Sequence, residues 1–333
     1  MKILVIRFSS IGDIVLTTPV IRNIKQQLPE AELHYLTKIS FKTVLEHNPY
    51  IDKLHYLVGS WEEMIRELKS ERFDLIIDLH HNLRTARIKS ALKVKSHSFP
   101  KLNIEKWLYA NLKINRLPDI HIVDRYMKTV NSLGVMNDGQ GLDYFISKED
   151  EIKLQDLPHA HFAGYIALVI GAAHATKRMP EDLLQELCTL IQHPIILLGG
   201  VEDKHRGAEI ASVDPIKIYN ACGKFSLNES ADIVRKSKLV ITHDTGLMHI
   251  AAAFKKPIIS IWGNTVPGFG MYPYYGNKPV PNQIFEVKKL SCRPCSKIGS
   301  DKCPKKHFKC MRNQDLLKIA AVAETWAREW RPV

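Results

Sequence analysis

Residues 2–21 read KILVIRFSSIGDIVLTTPVI, and this stretch decides the fold class. The apolar run 2–6 predicts a buried strand, a Ser-Ser-Ile-Gly turn follows it, and apolar spacing over 13–28 predicts a helix. One acid, Asp13, stands between the two elements, at the edge where open α/β sheets bind ligands. Two interpretations of Asp13 stay open: it caps a helix that begins near Ile14, or its carboxylate takes part in chemistry.

The same alternation of strands and helices runs through the chain twice. It predicts two doubly wound α/β domains in tandem, each with a parallel sheet, and a length of 333 residues suits two domains. A turn-rich and then charged stretch at 134–160 is the predicted linker. The predicted strands are 2–6, 32–37, 53–57, 74–79, 165–172, 194–200, 238–244 and 257–263, and the predicted helices are 13–28, 41–47, 61–71, 180–191, 226–237 and 247–254.

The formal net charge of +12 is concentrated at the C-terminal end, where residues 284–333 contain 12 Lys and Arg against 5 Asp and Glu. Such a surface suits an anionic partner, either acidic lipid head groups or a phosphorylated substrate, and a merely solvated surface is the alternative. Aromatic residues do not interleave with the basic ones, which disfavours nucleic acid. The chain starts directly with a strand and has no 18-residue apolar run, so we expect a cytoplasmic protein.

The stretch ITHDTGLMHIAAA (241–253) predicts a strand that turns into a helix. The free N–H groups of a first helical turn, together with the helix dipole, bind anions. Asp244, Thr245, Gly246 and His249 lie at or near this turn and are candidate ligand contacts. The alternative is an ordinary strand-to-helix turn in which Asp244 or Thr245 is the N-cap.

Two further loops follow predicted strands of the second domain. Lys177 and Arg178 in GAAHATKRMP (171–180) suit a diphosphate, and Glu202 in LLGGVEDK (197–204) suits a ribose diol, although each loop is also explained by solvation alone. The chain lacks GxGxxG, P-loop, HExxH, EF-hand, GxSxG and Asp-x-Asp motifs. These absences disfavour dehydrogenases, P-loop enzymes and metal-dependent transferases.

Four of the six cysteines form the pattern C-x2-C-x7-C-x6-C at Cys292, Cys295, Cys303 and Cys310, with His307 inside it. This clustering fits a structural zinc held by four thiolates, or by three thiolates and one imidazole. Free thiols that pack a loop are the alternative. Disulfides are not expected in a cytoplasmic chain.

Five stretches in order, RFSSIGDIVLTTPVI, TKRMP, GKFSL, HDTGLMHIAAA and WGNTVP, resemble glycosyltransferase family 9, the ADP-heptose:lipopolysaccharide heptosyltransferases. The resemblance implies the GT-B fold, with two Rossmann-like domains facing across a cleft. It implies inverting transfer of a heptose from ADP-heptose to the inner core of lipopolysaccharide, without a metal. It also implies an acceptor-binding domain at 1–155, a nucleotide-sugar-binding domain at 156–314, and a C-terminal helix at 315–333 that packs back on the N-terminal domain.

The resemblance carries roles onto individual residues. Asp13 becomes the catalytic base, Lys177 stabilises the diphosphate, and Phe225 packs near adenine. The acceptor is a lipid-linked acidic glycan, reached by peripheral contact with the cytoplasmic face of the inner membrane. Two alternatives remain: a related transferase that uses another nucleotide sugar for another surface glycan, and a non-catalytic nucleotide-binding protein. The other implied nucleotide-sugar contacts are Thr176, Arg178, Glu202, Asp244, Thr245, Gly246 and His249, and the implied acceptor contacts are Ser10, Gly12, Asn82, Arg84 and Arg87.

Overall fold

The computed structural model of the chain describes residues 1–330, without the side chain of Leu154. Residues 331–333, the end of the predicted C-terminal segment, lie outside the described part. Within it the chain forms eleven strands and twelve α-helices, with short 3-10 turns between them. The strands are β1 Lys2–Ile6, β2 Glu32–Thr37, β3 Lys53–Tyr56, β4 Leu75–Asp78, β5 Ser96–Ser98, β6 Ile166–Val169, β7 Ile195–Leu198, β8 Ile218–Asn220, β9 Leu239–His243, β10 Ile258–Trp262 and β11 Asn282–Glu286.

The helices alternate with these strands, as the sequence predicted, and the α/β class is confirmed. Short or weakly amphipathic helices that the sequence did not predict are found within the first hundred and thirty residues and after β7. The helices are α1 Ile11–Val15, α2 Thr18–Gln27, α3 Trp61–Ser70, α4 Leu83–Leu92, α5 Asn103–Leu112, α6 Ile122–Met127, α7 Glu181–Leu190, α8 Lys204–Ala211, α9 Leu227–Lys236, α10 Gly246–Ala253, α11 Lys309–Arg312 and α12 Leu316–Glu329.

The chain divides into two compact units. The first unit contains residues 1–101, 120–145 and 274–278, and the second contains 102–119, 146–273 and 279–333. The division after residue 145 falls inside the predicted linker at 134–160, but ten residues before the predicted boundary at 155. The helix α5 belongs to the second unit although it precedes the linker, so the N-terminal domain is less continuous than predicted.

Each unit has one all-parallel sheet. The strand order is β3-β2-β1-β4-β5 in the first unit and β11-β10-β9-β6-β7-β8 in the second. In each sheet the order in which successive strands are added reverses once, between β1 and β4 in the first unit and between β6 and β9 in the second. These are the topological switch points at which doubly wound sheets bind their ligands.

The predicted helix over 13–28 is in fact two helices, α1 and α2. Pro19 has no N–H to donate and stands in the first turn of α2. The hydroxyl of Thr17 donates to the carbonyl of Ile14 at 2.7 Å, and that of Thr18 donates to the carbonyl of Val15 at 2.8 Å. These bonds satisfy the last carbonyls of α1, which therefore ends at Val15.

The predicted C-terminal helix forms as α12. It packs against α7 and β9 and completes the apolar core of the second unit. The residues that make up its buried face are Leu316, Ile319, Ala320, Ala323 and Ala327. The predicted packing of this helix on the N-terminal domain stays a prediction. Among residues 1–330, none of the helices is both long and apolar enough to cross a membrane.

Candidate active site

The carboxylate of Asp13 lies in α1, directly after the carboxyl end of β1. Its Oδ1 atom is 2.7 Å from the Nη2 atom of Arg7, and its Oδ2 atom accepts hydrogen bonds from the backbone N–H and the hydroxyl of Ser10 at 3.1 and 2.9 Å. The helix begins at Ile11, so Asp13 is its third residue and Ser10 is the N-cap. The prediction that Asp13 is the N-cap of a helix near Ile14 is therefore wrong, although Asp13 does help to close the helix start.

Arg7 was not singled out by the sequence, although it lies in the stretch that opens the chain. Its side chain is buried and makes three further bonds: Nη1 donates to the carbonyl of Leu79 at 2.7 Å and to the Tyr126 hydroxyl at 3.1 Å, and Nε donates to the carbonyl of Ser9 at 2.7 Å. Arg7 thus ties the loop after β1 to the loop after β4. A cation at 2.7 Å favours the ionised form of the Asp13 carboxyl group.

The loop after β4 brings His80 to the same edge of the sheet. Its ring lies 4.6 Å from the ring of Phe8, centroid to centroid. Burial, with a contribution from the nearby Arg7 guanidinium, lowers the pKa of His80 to about 4. His80 is therefore neutral at physiological pH, and the charges next to Asp13 come from Arg7 rather than from histidine.

The predicted acceptor contacts of the first unit have structural partners. The Asn82 side chain caps α4 by accepting from the Thr85 N–H at 2.9 Å, and the Arg87 guanidinium lies 4.5 Å from the centre of the Trp61 ring. Arg84 is exposed on the first turn of α4, Gly12 is buried in α1, and Ser10 donates to Asp13. The structure places these residues in loops and helices that follow β1 and β4. Their binding to an acceptor stays a prediction.

In the second unit, Lys177 and Asp244 meet at the switch point between β6 and β9. The Lys177 ammonium is 2.7 Å from Oδ2 of Asp244. The same carboxylate oxygen accepts the hydroxyl of Thr265 at 3.0 Å. Three loops, which follow β6, β9 and β10, therefore converge on one carboxylate. Thr265 belongs to the WGNTVP stretch, and its position after β10 is the signal by which the sequence could have found it.

The helix α10 begins beside this ion pair. Thr245 is its N-cap, but the Thr245 side chain accepts no hydrogen bond from the helix, and its hydroxyl lies 3.5 Å from that of Thr242. The first N–H groups of an α-helix have no partner within the helix, so the start of α10 offers donors to an anion next to the Lys177 ammonium. His249 is buried one turn further along. The predicted set Asp244, Thr245, Gly246 and Lys177 is brought together.

Arg178 directly follows Lys177, and its side chain reaches the loop after β7, which contains Glu202. The Arg178 guanidinium is 3.5 Å from Oδ1 of the buried Asp203 and donates from Nε to the carbonyl of Ala172 at 2.7 Å. Asp203 in turn accepts from the Gly200 N–H at 3.1 Å. Glu202 is exposed and Phe225 is half-buried. The acid that orders this loop is therefore Asp203, while Glu202 keeps an accessible carboxylate.

Thr176 has a structural role that the prediction of a nucleotide contact did not foresee. It is buried, its hydroxyl donates to the carbonyl of Ser300 at 2.9 Å, and that hydroxyl accepts from the Ser300 N–H at 2.8 Å. Both hydrogen-bonding functions of the hydroxyl are thus satisfied within the protein. The Thr176 side chain anchors the loop after β6 to the segment of the four-cysteine pattern.

The four-cysteine segment is a folded loop with free thiols. Cys292 Sγ lies 3.8 Å from Nε2 of His307, and Cys295 Sγ donates to the carbonyl of Cys292 at 3.1 Å. Burial raises the pKa of Cys295 to about 11 and that of Cys310 to about 12. Over residues 1–330, no three candidate ligand atoms of this segment lie within 4.8 Å of one another. Structural zinc at Cys292, Cys295, Cys303 and Cys310 stays a prediction.

Both units are Rossmann-like. One has a cation and a helix start at its switch point, and the other has a carboxylate held by an arginine. This combination is the one expected of the GT-B glycosyltransferases, the class of protein to which the fold and the site point. The sequence profile of glycosyltransferase family 9 (heptosyltransferase) matches residues 61–305. The chain belongs to this family. It is therefore a glycosyltransferase, and the prediction of family and enzyme class is confirmed.

Relatives and solved structures match over nearly the whole chain. Lipopolysaccharide heptosyltransferase 1 of Campylobacter coli is 26% identical over 96% of this chain and 98% of its own length. A family 9 glycosyltransferase structure from Veillonella parvula has a TM-score of 0.74 at 23% identity, covering 98% of this chain and 97% of its own. The E. coli heptosyltransferase WaaC with ADP has a TM-score of 0.68 at 20% identity, covering 98% and 100%. These structures confirm the GT-B fold.

Proposed function

We propose that this enzyme transfers a heptose from ADP-heptose to the inner core of lipopolysaccharide, with inversion at the anomeric carbon and without a metal ion. Two findings support heptose as the transferred sugar and lipopolysaccharide as the acceptor class. The chain belongs to family 9, and it is similar to lipopolysaccharide heptosyltransferase 1 of Campylobacter coli. The ADP in the similar WaaC structure supports the nucleotide. The observation within this chain that carries the proposal is the ion pair of Lys177 and Asp244 beside the start of α10.

The second unit is proposed to stabilise the leaving ADP. When the bond from the anomeric carbon to the diphosphate breaks, negative charge grows on the diphosphate oxygens. Lys177 and the amide donors at Thr245 and Gly246 supply fixed positive charge and hydrogen bonds at that point, and such preorganised donors are worth several kcal/mol in a desolvated site. This arrangement can replace the metal ion that many nucleotide-sugar enzymes use. The lack of an Asp-x-Asp pair in the sequence agrees with that.

The first unit is proposed to activate the acceptor through Asp13. The Asp13 carboxylate accepts the proton of the acceptor hydroxyl, whose oxygen bonds to the anomeric carbon as the bond to the diphosphate breaks and its electron pair leaves on ADP. One direct displacement of this kind inverts the configuration. Arg7 holds the carboxylate ionised and fixed, and the Asp13 side chain remains 21% exposed. General-base catalysis requires an ionised, accessible group of this kind.

The acceptor is proposed to be a lipid-linked acidic glycan, approached from the cytoplasmic face of the inner membrane by peripheral contact. Ser10 follows β1, as Asp13 does, and Asn82, Arg84 and Arg87 follow the neighbouring strand β4. The excess of Lys and Arg over residues 284–333 complements an anionic membrane surface.

The test is a transfer assay with the purified enzyme and a lipid A-linked inner core that lacks heptose. ADP-heptose, GDP-mannose and UDP-glucose are supplied separately, each with and without EDTA, and the product linkage is read by NMR. We expect product from ADP-heptose only, of inverted configuration and at an unchanged rate in EDTA. Product from another donor alone would replace the sugar in the proposal, and activity restored by Mg²⁺ after EDTA would refute the metal-free mechanism.

A further inference from the structure

Away from the strand ends that carry Asp13, the first unit buries a pair of histidines. His34 on β2 and His55 on β3 lie with Nδ1 of His34 2.9 Å from Nε2 of His55, and both side chains are nearly inaccessible to solvent. The ring of Phe73 packs edge-on against both rings, at 5.2 and 6.0 Å between centroids. No step of the proposed transfer uses either histidine.

The outer nitrogen of each ring faces a carboxylate. Nε2 of His34 lies 2.8 Å from Oε1 of Glu32, and Nδ1 of His55 lies 2.7 Å from Oε1 of Glu67. Ionised carboxylates only accept hydrogen bonds, so each outer nitrogen carries the proton. In neutral rings the two nitrogens that face each other, Nδ1 of His34 and Nε2 of His55, then each carry a lone pair. Two lone pairs at 2.9 Å repel unless a cation lies between them or one ring takes up a second proton.

A third donor, Glu71, faces the same gap. Its carboxylate oxygens lie 3.9 Å from Nδ1 of His34 and 3.9 Å from Nε2 of His55. Lys2 and Lys53 contact Glu71 as well, Lys2 at 3.0 Å. A carboxylate offers about four lone-pair positions, so the two lysine contacts leave room for a further ligand. Among residues 1–330, His34, His55 and Glu71 are the three candidate metal ligands whose donor atoms all lie within 4.8 Å of one another.

We propose that His34, His55 and Glu71 form a structural site for a divalent transition metal of the zinc type. Two imidazoles and one carboxylate are a common ligand set for Zn²⁺, and the donor separations leave a central position at a distance on the order of 2 Å, as zinc requires. The carboxylate behind each histidine fixes the ring tautomer, as the outer contacts of metal-bound histidines generally do.

The charges of the surroundings agree with one divalent cation. With both imidazoles neutral, Glu32, Glu67 and Glu71 are opposed by Lys2 and Lys53, which leaves a surplus of negative charge around the pair. Glu32 and Glu67 are about half exposed, so they line a route for the ion from solvent. A bound metal would join β2 and β3 to the end of α3, and its effect would be on stability rather than on transfer.

The direct test is crystallography of the purified enzyme with three molar equivalents of Zn²⁺, enough to fill both this site and the cysteine segment, recorded at the zinc absorption edge. We expect an anomalous peak between the inner nitrogens of His34 and His55, within bonding distance of Glu71. Anomalous density absent from this position, with the rings still 2.9 Å apart, would overturn the proposal and establish a shared proton. A peak at the cysteines alone would overturn it equally.

A solution measurement separates this site from the cysteine segment. Zn²⁺ affinity is measured by competition with a chromophoric chelator for Glu71→Gln, for Glu32→Gln and for Glu62→Gln, an exposed residue of the same helix α3 that serves as the control. We expect the strong site to be lost in Glu71→Gln, weakened about 10–100-fold in Glu32→Gln, and unchanged in Glu62→Gln. All three substitutions keep the side-chain shape and both histidines, and circular dichroism of each variant checks the fold. Equal affinity in Glu71→Gln and Glu62→Gln contradicts the site.

Discussion

The two switch points of the molecule carry the same kind of ion pair with opposite polarity. In the first unit the cation, Arg7, is the more buried partner, and it presents the carboxylate of Asp13, with side-chain exposures of 9% and 21%. In the second unit the carboxylate, Asp244, is the more buried partner, and it presents the ammonium of Lys177, with exposures of 12% and 17%. At each sheet edge the more buried charge therefore holds the more exposed charge in place, and the more exposed charge is the one that is accessible to a ligand.

This difference agrees with the proposed division of the chemistry between the two units. A glycosyl transfer needs a proton acceptor for the incoming hydroxyl and a positive charge for the outgoing diphosphate. A carboxylate held in place by arginine suits the first need. An ammonium next to a helix start suits the second. The proposed assignment gives each role to the more exposed charge of its pair.

The largest effect is expected for Asp13→Asn. The amide keeps the shape and the contact from Ser10 but cannot accept the acceptor proton, so kcat should fall roughly 10²–10⁴-fold while the donor Kd stays within about threefold. Single-turnover kinetics with saturating donor measures it. Ser10→Ala is the matched control, since it removes one bond to Asp13 and keeps the carboxylate. Near-normal turnover in Asp13→Asn would leave this residue with a purely structural role at the start of α1.

Lys177→Ala should have the next largest effect. Loss of a positioned charge that meets the developing diphosphate charge should lower kcat/KM about 10²–10³-fold and weaken ADP binding. Lys177→Arg keeps the charge with another geometry and should recover part of both. Steady-state kinetics and calorimetric titration with ADP check this. Unchanged ADP affinity in the alanine variant would remove Lys177 from the diphosphate site.

Asp244→Asn should have a smaller effect than Lys177→Ala. Lys177 stays positive, but it loses the charged partner that orients it, and Thr265 keeps an acceptor in the amide oxygen. A charge-assisted hydrogen bond is worth about 1.5–3 kcal/mol, so we expect kcat/KM to fall roughly 10–100-fold. Thr265→Val, which removes only the hydroxyl that donates to Asp244 and leaves the ion pair with Lys177, is the comparison. A larger loss in Thr265→Val than in Asp244→Asn would contradict this order.

The smallest effect on activity is expected for Thr176→Val. The hydroxyl is bound to Ser300 rather than directed at a ligand. Its loss removes the acceptor of the Ser300 N–H, while the Ser300 carbonyl keeps the Thr176 N–H at 3.0 Å. The free energy of unfolding should fall by about 1 kcal/mol, with kcat/KM within about twofold of the parent. Thermal unfolding together with the transfer assay separates the two quantities. A kcat/KM loss without destabilisation would restore Thr176 to the nucleotide site.

The parts of the fold that the sequence predicted are those with strong periodicity or a cap. Long apolar strands such as β1 and β9 were found, and so was α9, within the predicted helix 226–237, where Ser226 and Glu229 form a capping box. Strands β5 and β8 were missed because three residues are too few to show a period. The last helix was found, but which core buries its apolar face depends on tertiary packing that no local pattern contains.

The sequence predicted the residues that are proposed to contact a ligand, but it did not predict the residues that hold them in place. Asp13, Lys177 and Asp244 follow predicted strands, so the carboxyl-edge rule finds them. Arg7 supports Asp13, Thr265 supports Asp244, and Asp203 supports Arg178, all through side-chain contacts that a strand or helix pattern does not contain. The structural role of Thr176 could not be predicted for a related reason, since its partner Ser300 lies 124 residues away, and its contact with the nucleotide stays a prediction.

The most direct test of the account compares Asp13→Asn and Lys177→Ala under identical conditions, with ADP affinity and the single-turnover rate at saturating donor measured for each. We predict opposite patterns. Asp13→Asn should bind ADP like the parent enzyme and lose the chemical step, whereas Lys177→Ala should lose ADP affinity as well as rate. If Asp13→Asn lost ADP affinity, or if Lys177→Ala retained it, the division of the chemistry between the two sheet edges would be contradicted.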